Sequence, residues 1–190
     1  MRARLPVAGL VLAALASCGG AAAAAEFGPA VPQPANEDVP PGLAVAYVQL
    51  MTRSVEAVEA ASGFTPGPPL TGLDYRSGKG RVLTSDWTDG VGARITGLIR
   101  LPEAGRYLFA AESNDGVRVY LDGRRIIDDP DVHSDRFSDA AEVVASAPGW
   151  YALAVFYFER KNTATLRLHW QRPGREAEPR RGVAARPRTG

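Results

Sequence analysis

The chain has 190 residues, with 22 Lys or Arg against 21 Asp or Glu and a formal net charge of +1. A charge balance this close gives no reason to expect a nucleic-acid partner. The single cysteine excludes an intrachain disulfide bond and a cluster of thiolate metal ligands.

The first 18 residues have the pattern of an export signal. An apolar stretch over residues 5–16 follows two arginines and is too short to cross a bilayer as a helix. The run LASC at residues 15–18 matches the bacterial lipobox, whose cysteine becomes the lipidated first residue of the mature chain. We therefore expect an exported protein anchored in the cell envelope through Cys18, with the outer membrane favoured because Gly19 follows. The alternative is ordinary cleavage near Ala25, which would leave a periplasmic or secreted protein.

Two segments flank the central part of the chain. Residues 19–41 are rich in Ala, Pro and Gly without helical or strand periodicity, which predicts a semi-extended tether. Residues 173–190 combine arginines and prolines with few apolar side chains, which predicts a disordered basic tail. The tail could contact anionic lipid headgroups or simply be solvated. Residues 42–172 remain, a length that suits one domain with its own core.

Strand patterns dominate residues 42–172. Apolar residues alternate with polar ones, or form short buried runs, over residues 43–50, 93–101, 106–113, 117–121, 124–127, 140–146, 150–159 and 163–171. Asp122-Gly123 predicts a type I′ hairpin turn, because both central residues of that turn need φ > 0. Residues 53–61 predict one short helix, and residues 62–91, rich in Gly and Pro, predict a long loop. Together the elements predict an all-β domain, an antiparallel β-sandwich or barrel.

Several motifs in this domain resemble those of one known family. They read, in chain order, SDW at 85–87, ITGLIRLP at 95–102, GRYLF at 105–109, ESNDGVRVYLDG at 112–123, GWY at 149–151, FYFE at 156–159 and ATLRLHW at 164–170. Residues 42–172 thereby resemble the PA14 module, the β-barrel domain named after anthrax protective antigen, which also occurs in adhesins, glycosidases, proteases and bacterial envelope proteins. The resemblance implies a PA14-like sandwich and the recognition of a glycan.

The resemblance also implies where a ligand would bind. In the lectin members two consecutive aspartates, joined by a cis peptide bond, bind a Ca²⁺ ion that grips sugar hydroxyls. Asn114 and Asp115 stand at the matching positions, and both offer the oxygen ligands that Ca²⁺ prefers. The amide of Asn114 carries no charge, so we expect weaker ion binding than two carboxylates would give. From residue types alone, Asn114-Asp115-Gly116 also suits a hairpin turn capped by its own side chains.

Two further features could complete a ligand site. The acidic loop of residues 128–135, which includes Asp131 and His133, could approach the turn at residues 114–116 or could be a solvated loop. Trp87 could stack on a sugar ring, whereas Trp150 and Trp170 lie in strand patterns and are expected in the core. The candidate ligand-binding residues are Asn114, Asp115, Gly116, Trp87, Asp131 and His133.

The sequence carries no motif for catalysis. His133 and His169 lack the spacing of a zinc protease, and there is no nucleophile elbow and no phosphate-binding loop. We therefore expect no enzyme activity. The sequence predicts a non-catalytic carbohydrate-binding module tethered to the cell envelope, assisted by Ca²⁺, with a glycan or envelope polysaccharide as its partner. The alternative is a structural or protein-interaction module of the envelope that binds no glycan.

Overall fold

The computed structural model describes residues 25–175 and the backbone of residues 181–184. The export signal, Cys18 and most of the basic tail lie outside these residues. The described chain forms two β-sheets, one short α-helix, α1 (Val55–Glu59), and one turn of 3-10 helix, Asn36–Asp38. The predicted all-β sandwich is confirmed, and α1 falls inside the predicted helical segment. None of the helices in the described part of the chain has the length and apolar character to span a bilayer.

Two sheets face each other across the core. In chain order the described strands are β1 (Glu26–Phe27), β2 (Leu43–Gln49), β3 (Thr65–Leu70), β4 (Gly72–Ser77), β5 (Val91–Leu101), β6 (Gly105–Asn114), β7 (Val117–Leu121), β8 (Arg124–Asp129), β9 (Arg136–Phe137), β10 (Ala141–Ala145), β11 (Gly149–Glu159), β12 (Ala164–Gln171) and β13 (Arg181–Ala184). The first sheet has the order β1-β10-β6-β12-β13-β4, with additional pairings of β9 to β6 and of β12 to β4. The second sheet has the order β3-β2-β5-β11-β7-β8.

The hairpin between β7 and β8 forms as the sequence predicts. Asp122 has φ +48° and Gly123 has φ +70°, the left-handed backbone that a type I′ turn requires at both positions. The two strands then pair from Leu121 with Arg124 onward. The short-range signal of an Asp-Gly pair between apolar runs is therefore confirmed.

Buried tyrosines anchor the turns that precede two of the long strands. Tyr107 on β6 and Tyr151 on β11 are fully buried in the core. The Tyr107 hydroxyl donates to the carbonyl oxygen of Glu103 at 2.9 Å, and the Tyr151 hydroxyl donates to that of Ala147 at 2.6 Å. A buried phenol needs a hydrogen-bond partner, and each finds one four residues upstream. These bonds fix the chain where it enters β6 and β11.

A cluster of ion pairs holds α1 against the second sheet. Arg118 on β7 has a side chain only 6% exposed, and its guanidinium group pairs with Glu56, which lies on α1. It also donates to Glu59 of α1 at 2.6 Å and to Asp128 of β8 at 2.7 Å. The planar guanidinium thus joins one helix and two strands at a single buried point.

Replacing Arg118 by Met is expected to lower the free energy of unfolding by about 2 kcal/mol, because three carboxylates lose charge-assisted donors. Urea unfolding of the protein measures the loss. Arg125→Met is the matched control, since Arg125 is about half exposed and makes one ion pair with Asp128 at 3.1 Å. Removing that exposed pair should cost no more than about 0.5 kcal/mol. Equal losses in the two variants would contradict the anchoring role of Arg118.

The predicted loop over residues 62–91 is wrong in its first half, which contains β3 and β4. β3 reads TPGPPL, a composition typical of loops. It lies at the edge of the second sheet, where one side of the backbone has no neighbouring strand. Proline is tolerated there because its backbone has no N–H, and on the outer side of an edge strand there is no neighbouring strand to accept one.

The predicted tether and tail both include residues that the structure places on the domain. Within residues 19–41, β1 pairs with β10 and Phe27 is buried. Gln33 Oε1 accepts from the Trp150 backbone N–H at 2.8 Å, and Asn36 Oδ1 accepts from Trp150 Nε1 at 3.0 Å. Within residues 173–190, β13 pairs with β12 and β4. Backbone groups left unpaired at the outer side of β10, and between β12 and β4, can pair with a neighbouring segment of loop-like composition.

Candidate functional site

The turn at residues 114–116 carries the chain from one sheet to the other. Asn114 ends β6 and pairs with Thr165 in the first sheet. In the second sheet the Asp115 N–H donates to the Phe158 carbonyl oxygen, and the Phe158 N–H donates to that of Gly116, both at 3.1 Å. The turn is therefore a crossover, and its interpretation as a hairpin is wrong. The Asn114-Asp115 peptide bond is cis, the geometry that the resemblance implies.

The side chain of Asn114 points inward, and both N–H groups of its amide are paired. Asn114 is 8% exposed, and its Nδ2 donates to Asp135 Oδ1 at 2.9 Å and to Thr163 Oγ1 at 2.8 Å. Asp135 also accepts from Thr165 Oγ1 at 3.2 Å and pairs with Arg76 at 2.9 Å. A carboxylate at position 114 would repel Asp135, so the amide suits this arrangement.

Asp115 is held by backbone donors from two other segments. It is 4% exposed, and its Oδ1 accepts from the His133 N–H at 3.2 Å. Its Oδ2 accepts from the Arg160 N–H at 2.8 Å. Burial raises the pKa of Asp115, and these two hydrogen bonds oppose that rise. The carboxylate therefore ties the turn to the chain after β8 and to the chain after β11.

Gly116 lies where no side chain fits. A Cβ atom built on it would lie 2.5 Å from the carbonyl oxygen of Pro130 and 2.7 Å from a ring carbon of Phe158. The loop that follows β8 thus packs directly on the backbone of the turn. Glycine is required here by close approach of the neighbours and not by a left-handed φ.

The acidic loop does approach the turn, but its two candidate residues differ in position. His133 contributes its backbone N–H to Asp115, while its ring is 6% exposed and lies 3.3 Å from Asp129. Asp131 is exposed, and its backbone forms an isolated bridge with Ser54. Of these two side chains, only that of Asp131 is therefore available to a ligand that approaches from solvent.

In this arrangement the turn offers few of the oxygen ligands that a Ca²⁺ ion needs. Ca²⁺ takes about six to eight oxygen ligands. Both oxygens of Asp115 already accept backbone N–H groups, and Asn114 directs its N–H groups at its two neighbours. In residues 25–175 no group of three or more His, Cys, Asp or Glu could hold a metal ion. The assistance by Ca²⁺ therefore stays a prediction, without a matching donor set in these contacts.

Trp87 lies apart from the turn. It belongs to the loop between β4 and β5, is partly buried and packs against the core. It lines a cavity of about 200 Å³ together with Tyr47 and Thr84. Trp150 is 4% exposed and Trp170 is half-buried against the core, which agrees with the structural role expected for both. The sequence could not reveal the cavity, because its walls come from three separate segments.

The sequence analysis also missed a buried acid, Glu159, at the end of β11. It is 0% exposed, and among the described residues neither carboxylate oxygen has a hydrogen-bond partner. Burial, followed by the negative charges of Asp89 and Asp115, raises the pKa of Glu159 from its usual 4.5 to about 7. An acid after an apolar run looks like the first residue of a loop, so the local pattern did not indicate that Glu159 is buried.

Replacing Asp115 by Asn is expected to lower the free energy of unfolding by about 2 kcal/mol. The amide has one oxygen, which can accept from the backbone N–H of either His133 or Arg160. Its NH₂ group then faces the remaining backbone N–H, and two donors meet without an acceptor. Thermal unfolding followed by circular dichroism measures the effect. Asp139→Asn, at an exposed aspartate in the loop before β10, is the control and should change the stability little. Equal melting temperatures for the two variants would argue against the tie that Asp115 forms.

A family model for the PA14 domain matches residues 84–180, just over half of the chain. The chain belongs to the PA14 domain family. The resemblance seen in the sequence motifs is thereby confirmed, and this PA14 domain has the two-sheet architecture that the resemblance implies. No curated protein is similar enough in sequence to count as a match.

Solved structures with similar folds agree with this assignment. An anti-sigma factor domain-containing protein has 21% identity and a TM-score of 0.64, over 77% of this chain and 47% of that one. A PA14 sugar-binding domain from an RTX adhesin has 16% identity and a TM-score of 0.55, over 77% and 99%. The Epithelial Adhesin 9 A domain from Candida glabrata, in complex with Galβ1-3GlcNAc, has 11% identity and a TM-score of 0.60, over 83% and 95%. This chain thus spans about half the length of the anti-sigma factor domain-containing protein. At such identities the likeness shows the fold alone.

Proposed function

We propose that this PA14 domain is a non-catalytic carbohydrate-binding module of the cell envelope. The observation that carries the proposal is the Asn114-Asp115 turn with the polar loop of residues 129–136 packed on it, at one end of the sandwich. Two structures with this fold support it: the sugar-binding domain from an RTX adhesin, and the Candida glabrata adhesin in complex with Galβ1-3GlcNAc. No catalytic motif occurs in the sequence, which supports binding in place of catalysis.

The rim of the turn supports direct recognition of sugar hydroxyls. Asp131, Ser134 and Thr163 are exposed there, and the side chains of Arg136 and Arg76 are 52% and 63% exposed. Hydroxyl, carboxylate and guanidinium groups together offer both donors and acceptors. Because the side chains of Asn114 and Asp115 are buried and already bonded to neighbouring segments, these exposed groups are the contacts that we assign to the ligand.

A glycan array tests this function with three forms of the protein. The unmodified chain should bind at least one glycan, and Asp131→Ala should weaken that binding about tenfold, since a hydrogen bond to a charged group is lost. Asp139→Ala, an exposed aspartate outside the rim, should bind as the unmodified chain does. Failure of the unmodified chain to retain any glycan would refute the proposal.

The same binding assay decides the role of Ca²⁺. Binding that survives EDTA would support recognition by the rim residues alone. Loss of binding in EDTA, restored by millimolar Ca²⁺, would instead support the ion that the resemblance implies, and would require the bonds of Asn114 and Asp115 to rearrange.

A second candidate function is a structural or protein-interaction module of the envelope without a glycan ligand. The hydrogen bonds that Asn114 and Asp115 make to two other segments favour it, because they make the turn a structural joint. This candidate would be supported if the protein bound no glycan on the array and cross-linking in cells recovered a specific protein partner.

We also propose export and attachment to the envelope through Cys18, on the strength of the lipobox at residues 15–18. Two acyl chains on one cysteine are enough for stable anchoring. Metabolic labelling with a palmitate analogue should mark the protein, and Cys18→Ala should remove the label. Unlabelled protein that is cleaved near Ala25 would point to the soluble, exported form.

A further inference from the structure

A cavity separate from the turn lies between the edge strand β3 and the loop that joins β4 to β5. Its volume is about 200 Å³. Trp87 lines it from the loop, and Pro66 and Pro68 line it from β3. The third side is Tyr47 of β2, whose ring is buried and whose hydroxyl lies 2.8 Å from Thr84 Oγ1. The cavity therefore has an aromatic and apolar wall held by the core of the domain.

Hydrogen bonds fix the walls of this cavity before any ligand arrives. The Thr84 N–H donates to the Tyr47 hydroxyl at 3.0 Å, and Thr84 Oγ1 donates to the Pro68 carbonyl oxygen at 2.6 Å. Within the loop, the Trp87 N–H donates to Ser85 Oγ at 3.2 Å. The bonds join β2, β3 and the loop into one rigid frame. A frame formed in advance lowers the entropic cost of binding.

Gly67 lets β3 approach the aromatic wall. A Cβ atom on it would lie 2.7 Å from Tyr47 Cδ2 and overlap the adjoining ring carbon. Any larger residue would push the edge strand away from Tyr47 and change the shape of the cavity. The glycine between two prolines is thus a packing requirement of this wall.

Unused polar groups surround the same cavity. Among the described residues, the Thr65 hydroxyl and the Trp87 indole N–H make no hydrogen bond within the protein. Asp86 has a side chain 87% exposed and a single ion pair with Arg81 at 3.3 Å. An exposed pair of this kind is weak, so the carboxylate remains free to accept hydrogen bonds from a ligand.

The size and lining of the cavity together indicate its ligand. Pockets for drug-sized molecules have volumes of about 300–1,000 Å³, so a smaller cavity suits one ring. A pyranose has an apolar C–H face that can lie on the negative face of an aromatic ring, and hydroxyls around its edge. We propose that this cavity binds a single pyranose ring, stacked on Trp87 with its hydroxyls bonded to Thr65 and Asp86. The inference rests on the proposed carbohydrate-binding function.

The cavity and the turn lie at the same end of the second sheet but cannot share one ring. Thr65, Tyr47, Ala93, Tyr157 and Val117 are paired in succession across β3, β2, β5, β11 and β7. Four spacings between neighbouring strands give a separation of about 19 Å. The cavity is thus a second subsite, which a single sugar would occupy independently of the turn.

The test uses methyl glycosides of glucose, galactose and N-acetylglucosamine as probes. In a Trp150→Phe/Trp170→Phe variant, Trp87 is the one remaining tryptophan, and a stacked sugar should change its fluorescence in a saturable way. In the otherwise unmodified chain, saturation-transfer NMR reports the same binding. Thr65→Arg, at an exposed position of β3, should fill the cavity and weaken binding at least about tenfold with the melting temperature unchanged.

Thr71→Arg is the control, because Thr71 is exposed nearby and does not line the cavity. Binding in Thr65→Arg equal to that in Thr71→Arg would overturn the inference. If the protein then still binds glycans on the array, and Asp131→Ala still weakens that binding, the carbohydrate-binding function stands without this subsite. If the unmodified chain retains neither array glycans nor methyl glycosides, both proposals fail.

Discussion

Replacing Glu159 by Gln is expected to raise the free energy of unfolding at pH 8 by about 3 kcal/mol. The carboxylate is 0% exposed and its oxygens have no hydrogen-bond partner in the described chain. Above its pKa of about 7 it must carry a buried charge next to Asp89 and Asp115. Glutamine has nearly the same shape and no charge, so the variant avoids this cost. Urea unfolding at pH 8 measures the gain.

The same group gives the stability of the protein a defined pH dependence. Between its usual pKa of 4.5 and the folded value of about 7, the folded chain keeps a proton that the unfolded chain has lost. The free energy of unfolding therefore falls with rising pH, by about 1.4 kcal/mol per unit in this window. Above pH 7 the contribution of Glu159 is constant, and below pH 4.5 the penalty is absent.

The Glu159→Gln variant should lose this slope and should match the unmodified protein at pH 5 to within about 1 kcal/mol. Glu37→Gln, at an exposed glutamate in the 3-10 turn, is the control and should keep the full slope. A slope between pH 5 and pH 7 that is unchanged in Glu159→Gln would show that Glu159 does not carry the proton.

Replacing Gly116 by Ala is expected to lower the free energy of unfolding by about 3 kcal/mol or more, because the added methyl group meets backbone that cannot move freely. Its Cβ would lie 2.5 Å from the Pro130 carbonyl oxygen and 2.7 Å from its carbonyl carbon. Relief requires the loop after β8 to separate from the turn, which would also lengthen the bond between Asp115 and the His133 N–H. Urea unfolding, together with hydrogen exchange at His133, measures both consequences.

Gly78→Ala is the matched control for that substitution. Nothing lies within 4 Å of a Cβ atom built on Gly78, and its φ is outside the left-handed region. The control should be neutral or slightly stabilising, since alanine restricts the unfolded chain. If Gly116→Ala were as stable as Gly78→Ala, the close packing of the loop on the turn would be refuted.

The fold could be predicted from the sequence where local patterns decide the structure. The alternation in β7, the Asp-Gly turn after it and the apolar run of β11 depend on neighbouring residues only, and each was confirmed. β3 could not be predicted, because TPGPPL becomes a strand only as the edge of a sheet formed by other segments. Local composition favoured a loop, and long-range pairing overrode it.

The candidate site was only partly accessible from sequence. Asn114 and Asp115 were identified through the family motif, and the structure shows the cis bond between them. Their hydrogen-bond partners lie 18 to 49 positions away in the chain, at His133, Arg160 and Thr163. No periodicity reports such distant contacts. The inward orientation of both side chains therefore became visible only in the folded arrangement.

β1 determines how a chain attached at Cys18 would stand on a membrane. Glu26 follows Cys18 by eight positions, so the chain that connects them reaches at most about 29 Å. If the whole predicted tether up to residue 41 were free, its maximum reach would be roughly 80 Å. Glu26 pairs with Val144, beside the beginning of β6, whereas Asn114 lies at the opposite end of that strand, about 30 Å away. A lipid at Cys18 would therefore keep the β1 end of the sandwich within about 29 Å of the bilayer, with the crossover turn at the opposite end of the domain.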